Sequence, residues 1–79
     1  MARVLLFGRL ADIAGWRERE IDLPTVDALR RALCEADPGL AEALGAPGVQ
    51  VAVDQEIVRG DRPVSARTEV AFLPAMSGG

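Results

Sequence analysis

The residues with chemistry to offer stand together at the end of the chain. The run EVAFLPAMSGG, residues 69–79, joins an apolar stretch to Pro74, a short spacer, and then Gly78 and Gly79. Glycine has no Cβ and accepts backbone angles that other residues avoid. A terminal carboxylate that must react inside another protein has to pass through a narrow channel, and a branched residue there would meet the wall. Pro74 fixes φ at the start of this segment, which aims it away from the body. If the α-carboxylate of Gly79 reacts in that way, Gly78, Ser77 and Met76 are the thread that delivers it; a plain disordered chain end is the competing reading.

Elsewhere the chemistry is thin. There is no histidine, and all nine cationic side chains are arginine. Acid–base work near neutral pH favours histidine, or a perturbed carboxylate, lysine or cysteine. Cys34 follows Arg30 and Arg31 and precedes Glu35. Arginine nearby lowers a thiol pKa, but the position falls off the apolar stripe of its helix and reads as a small surface residue. A lone thiol closes no internal bridge, and zinc-ligand spacing is absent, so no metal is expected. GRLADIAG lacks the spacing of a dinucleotide fingerprint. Trp16 reads as a rim-packing residue. The chain looks like a substrate or binder that holds no cofactor of its own.

The elements that must carry such a tail are few. Seventy-nine residues make one small domain, and a chain of this size buries only about 60% of the surface its unfolded form exposes. At 49% apolar residues there is enough for a core. The net charge is −3, with twelve carboxylates against nine scattered arginines. Nucleic acid wants clustered cations, so it is not an expected partner. No apolar run reaches the ~18 residues of a membrane span, and MARVLLFGRL is too short in apolar residues for a signal peptide. With one cysteine, the expected compartment is reducing and cytoplasmic.

Along the chain, Val4 to Phe7 reads as a buried strand. LADIAG suits one helical turn ended by Gly15. Arg17 to Leu23 alternates, with Ile21 and Leu23 opposite Glu18, Glu20 and Asp22, as in a half-buried strand with charges that discourage edge pairing. Thr25 is the expected N-cap of the main helix and Asp27 suits its first turn. Val26, Leu29, Ala32, Leu33 and Ala36 form its stripe. Asp37-Pro38 restarts a short helix through Leu40, Ala43 and Leu44. Val49, Val51 and Val53 alternate into a strand, Asp54-Gln55 marks a hairpin, and residues 59–68 read as polar loop. In the last strand Val70 and Phe72 share one face, Ala71 and Leu73 the other.

One main helix covers one face of a sheet, yet the first and last strands are apolar on both. If Val4, Leu6, Val70 and Phe72 meet the helix, then Leu5, Phe7, Ala71 and Leu73 look outward. A contiguous exposed apolar patch marks an interface, so a dedicated partner is expected.

The runs VLLFGRLADIAG, PTVDALRRAL and VAVDQEIV, and above all EVAFLPAMSGG, resemble the ubiquitin-like sulfur carriers, specifically the small subunits of molybdopterin synthase. The resemblance spans essentially the whole chain. Those tails usually carry two consecutive prolines, where this one has Pro74 and Ala75. Their acidic-glycine turn before the last strand is replaced here by SART. The resemblance implies an α+β class and a β-grasp fold, a mixed sheet of about five strands with one main helix on one face. It implies a β-grasp domain over 1–73 and a flexible tail over 74–79. It further implies that an ATP-using, ubiquitin-activating-like adenylyltransferase adenylates Gly79 and that a sulfur donor converts it to a thiocarboxylate. The tail then delivers sulfur in the large subunit to a cyclic pyranopterin phosphate, building the dithiolene of molybdopterin. Catalytic lysines in that family belong to the large subunit, so this chain is not an enzyme by itself. ATP is used by the activating partner. Phe7, Ile57, Leu73 and Pro74 would form the docking surface.

Two other readings compete. Related carriers serve thiamine, cysteine or transfer-RNA thiolation; the thiamine carriers are usually shorter and tend to lack a helical segment like Pro38 to Leu44. A β-grasp protein modifier would conjugate through Gly79 to target lysines, and a plain interaction module would not need Gly79.

Overall fold

The computed structural model describes residues 1–75. The chain runs β1 (Ala2–Leu6), α1 (Gly8–Ala14), β2 (Glu18–Ile21), α2 (Val26–Ala36), α3 (Pro38–Leu44), β3 (Gln50–Val53), β4 (Glu56–Val58) and β5 (Glu69–Leu73). The five strands form one sheet in the order β2-β1-β5-β3-β4. β1 and β5 are parallel, and every other pair is antiparallel. This is the mixed β-grasp sheet that the resemblance implies.

Alternation decides which face is buried. Val4, Leu6, Val70, Phe72 and Val51 point to the core, where they join Val26, Leu29 and Leu33 of α2. The expected inward set of β1 and β5 is borne out. The helical layer is larger than the single long helix, since Leu10 and Ala11 of α1 and Leu40, Ala43 and Leu44 of α3 complete the same cluster.

Where α1 was expected to be one turn, it is seven residues. Phe7 is its N-cap and makes no side-chain capping bond, so no capping signal announces its start. It ends at Gly15, with φ 83°, whose N–H donates to the Ala11 carbonyl at 2.8 Å.

α2 is capped twice. Thr25 Oγ1 accepts from the Ala28 N–H at 3.1 Å, as its position in the sequence implies. Asp61 Oδ1 accepts from the Asp27 N–H at 2.8 Å, across 34 residues. The loop over residues 59–68 is therefore tied down. The Val26 N–H donates to the Arg62 carbonyl at 3.0 Å, and the Val64 N–H to the Pro24 carbonyl at 2.8 Å. α3 begins as expected, with Asp37 Oδ1 accepting from the Leu40 N–H at 3.2 Å and Pro38 at the first helical position.

Three expectations need correction. Ala36 is exposed, because the helix ends there and the stripe drifts off the core in its last turn. Cys34 is half-buried and packs against the core cluster, so it is not a plain surface residue. Ala71 faces away from α2 yet is only 5% exposed. Its methyl lies between Leu5 and Ala52 on the strands either side of β5, and so short a side chain at mid-sheet presents little surface.

The Asp54-Gln55 hairpin and the SART turn are both held by side chains. Asp54 and Gln55 both have positive φ, 50° and 68°, the pattern of the tight hairpin turn whose twist matches the strands. Asp54 also ties the hairpin to β5, donating its N–H to the Glu69 carbonyl at 2.8 Å and accepting the Glu69 N–H on Oδ1 at 3.0 Å. In SART, Thr68 Oγ1 accepts from the Ser65 N–H at 2.9 Å, and the Thr68 N–H donates to the Ser65 carbonyl at 3.1 Å.

Candidate functional site

The open face of the sheet is built by register. Glu18, Leu5, Ala71, Ala52 and Ile57 lie in one row across all five strands. One step toward the start of β1 and β5, the row is Glu20, Arg3 and Glu69. One step the other way, Leu73 pairs with Gln50, and the Phe7 N–H donates to the Phe72 carbonyl at 3.2 Å. The face is thus charged at one end and apolar at the other.

The parallel pairing of β1 and β5 decides which end matters. Both strands leave the sheet at the same edge, so Phe7 and Leu73 end the face together. Pro74 begins the tail at that edge. Phe7 is 45% exposed and Ile57 is 49% exposed, while Leu73 and Pro74 are half-buried. Of the four expected interface residues, Phe7, Ile57 and Leu73 fall on the open side of the sheet by strand alternation and register, whereas Pro74 lies beside Gly8 at the start of α1. Gly79, Gly78, Ser77 and Met76 lie outside the described residues.

At the charged end, Arg3 Nε meets Glu18 Oε2 at 2.9 Å and Arg3 Nη1 meets Glu69 Oε1 at 3.9 Å. The hydrogen bond to Glu18, and then its charge, raise the Arg3 pKa above the usual guanidinium value, so the cation is permanent. Arg3 and Glu18 are about half exposed, so water screens the pair and it adds little to stability. Their effect is to make that end a polar rim. β2 is an edge strand, and Glu18 and Glu20 guard it against strand addition. On the other side of β2, Arg19 stacks on Trp16 at 4.4 Å from the ring centroid, and Trp16 packs on the core edge as expected of a rim residue.

Chemistry inside the described domain is sparse. Two shallow hollows, of about 340 and 300 Å³, flank the β3–β4 hairpin, and Phe7, Leu73 and Pro74 line neither. Among the described residues no cluster of histidine, cysteine or carboxylates is arranged to hold a metal, and no helix is long and apolar enough to cross a membrane. The arrangement offers an exposed apolar face that ends at Phe7 and Leu73. Asp61 and the role of Arg3 are what sequence reasoning missed; both depend on contacts between distant segments.

Comparison with known proteins agrees with this layout. The model of the ThiS family matches residues 4–79. A molybdopterin synthase sulfur carrier subunit from Escherichia coli (strain K12) is 36% identical over 81 residues, covering 100% of both chains. The crystal structure of SAMP1 from Haloferax volcanii superposes with a TM-score of 0.82 at 29% identity, over 99% of this chain and 98% of that one. A chain from the protein–protein complex of subunits 1 and 2 of molybdopterin-converting factor from Helicobacter pylori 26695 superposes at TM-score 0.74 and 23% identity, over 99% of this chain and 97% of that one. Matched from Val4 to its last residue, and similar throughout to a curated sulfur carrier subunit, the chain belongs to the ThiS family.

Proposed function

We propose that this chain is the sulfur carrier subunit of a molybdopterin synthase and that its reacting group is the α-carboxylate of Gly79. The observation that carries the reading is the common exit of β1 and β5, which places Phe7, Leu73 and the tail root at one edge of an open apolar face. A partner seated on that face has the tail directed into it. The full-length likeness to the Escherichia coli sulfur carrier subunit supports the pathway, and the Helicobacter pylori complex of subunits 1 and 2 supports a large-subunit partner.

The chemistry divides between this chain and its partners. A carboxylate is a poor acyl donor because its leaving group would be oxide. An adenylyltransferase makes it a good one: a Gly79 oxygen attacks the α-phosphorus of ATP and pyrophosphate leaves. A sulfide-level sulfur nucleophile then adds to the acyl carbon, AMP departs, and the thiocarboxylate remains. That anion is more nucleophilic than the carboxylate. In the large subunit its sulfur attacks a carbon of the cyclic pyranopterin phosphate and an oxygen substituent leaves; water then cleaves the acyl–sulfur bond, returning Gly79 as carboxylate, and a second thiocarboxylated chain supplies the second sulfur of the dithiolene in the same way. Acid–base catalysis is assigned to the large subunit in this reading, and the absence of lysine and histidine from this chain fits that division.

The likeness to SAMP1, a small archaeal modifier, favours one second reading. The same acyl adenylate would then be attacked by a lysine amine of a target protein. The chain has no lysine, so it would build no lysine-linked chains on itself. Reconstitution with the large subunit separates the two: thiocarboxylated chain plus cyclic pyranopterin phosphate gives dithiolene under the first reading. Under the second it gives none, and Gly79 appears in isopeptide bonds.

A further inference from the structure

β5 ends at Leu73, so the sheet ladder does not hold the two residues that follow. Pro74 and Ala75 lie instead between two turns from distant parts of the chain. One is the β1–α1 junction at Gly8, and the other is the loop between α3 and β3 at Gly48. A Cβ on Gly8 would sit 3.0 Å from Pro74 Cγ. A Cβ on Gly48 would sit 2.9 Å from Ala75 Cβ and 3.6 Å from Ala75 Cα. Both glycines also have positive φ, 54° and 89°, so each position disfavours a side chain for two separate reasons.

Gly60 shows that the two reasons are separable. It has φ 77°, yet nothing lies within 4 Å of where its Cβ would be. Positive φ is what the turn needs there. At Gly8 and Gly48 the chain meets a second demand, room for the root of the tail.

We propose that Gly8 and Gly48 form a clasp that sets the direction in which the C-terminal segment leaves the sheet. They would thereby act as positioning residues for the chemistry at Gly79; this functional half rests on the carrier reading. The lever is geometric. Four residues follow Ala75, an extended reach of up to roughly 14 Å. A methyl on Gly48 pushes Ala75 outward, and a small rotation at that root displaces the carboxylate by more. Misplacing a reacting group by ~1 Å costs about a hundredfold in rate. The partner's channel can redirect part of that displacement, so the expected loss is smaller.

The test compares Gly48→Ala, Ala75→Gly and the double variant, with Gly60→Ala as the control for backbone strain alone. Two quantities are read on the full chain. Residual dipolar coupling of the residue 75 N–H gives its direction relative to the sheet. The kcat/KM of ATP-dependent sulfuration by the activating enzyme gives the functional consequence. Gly60→Ala is expected to lower the melting temperature and leave both readouts unchanged. Gly48→Ala is expected to turn the residue 75 vector and reduce kcat/KM by about tenfold or more. Adding Ala75→Gly to Gly48→Ala removes the clash but not the positive φ, and is expected to restore both readouts to the level of Ala75→Gly alone.

A Gly48→Ala chain with wild-type direction and rate overturns the clasp. So does a double variant as impaired as Gly48→Ala, since the defect is then the strained turn and not the tail contact. Should Gly48→Ala fail to fold, Gly8→Ala against Gly8→Ala with Pro74→Ala poses the same question at the other jaw, because Pro74→Ala removes the clashing Cγ. If the wild-type chain is never sulfurated, the carrier reading fails, and the coupling at residue 75 still decides whether the clasp exists.

Discussion

Phe7 and Phe72 are joined by a backbone hydrogen bond of 3.2 Å at the edge where β1 and β5 leave the sheet, yet their side chains have opposite fates. Phe72 is fully buried, and Phe7 is 45% exposed. Phe72 holds the core, and under the proposed function Phe7 serves a partner. Phe7→Asp and Ile57→Asp are therefore expected to leave stability within about 1 kcal/mol of wild type. Each should weaken large-subunit binding by about 2 kcal/mol or more, since an unpaired charge at an interface core is costly. Leu73→Asp is half-buried and should lose both. Thermal melting and titration calorimetry on each variant check this; a collapse in melting for Phe7→Asp would make it a core residue.

The second cap on α2 gives a stability prediction. Asp61→Ala removes the acceptor of the Asp27 N–H, and loss of such a cap costs about 1 kcal/mol. Asp61→Asn keeps an acceptor oxygen and should cost less. Urea denaturation measures both, and an equal loss in the two variants would point to charge as the cause.

Gln55 is a residue with a side chain at φ 68°. Gln55→Gly relieves the left-handed backbone and should stabilise the chain by about 0.5–1 kcal/mol. Asp54 should not tolerate the same change, since its carboxylate holds the Glu69 N–H. Melting temperatures of the two glycine variants should move in opposite directions.

Cys34 packs against the core edge, so Cys34→Ser is expected to cost about 1 kcal/mol of stability by burying a hydroxyl in an apolar contact. Sulfuration and sulfur transfer should be nearly unchanged at a temperature where the variant is folded. A large loss of product from a folded variant would bring the thiol into the mechanism.

Much of this layout is legible in the sequence because it is local. Val4, Leu6, Val70 and Phe72 alternate, Thr25 and Asp37 precede helices that need caps, and Asp54-Gln55 sits between two apolar runs. Each signal lies within a few residues of its consequence. What is not legible is set by contacts between segments far apart. Asp61 caps a helix across 34 residues. α1 has only Leu10 and Ala11 buried and no capping side chain, so its periodicity is faint. Cys34 sits beside the stripe by spacing, and only the packing of its neighbours decides how far it is covered. Gly8 and Gly48 look like ordinary turn glycines until the tail root is seen between them. The open face itself was readable as a surplus: two strands apolar on both sides and one main helix to cover them.

The most direct measurement of the central claim is intact-protein mass spectrometry after incubation with ATP, the activating enzyme and a sulfur donor. Wild type is expected to gain the mass difference between sulfur and oxygen, mapped to the C-terminal peptide. Deleting Gly79 draws the carboxylate back by roughly 3.5 Å and should slow the reaction by about a hundredfold or more. Sulfuration of the shortened chain at the wild-type rate, or a wild-type chain that never gains the mass, would contradict the account.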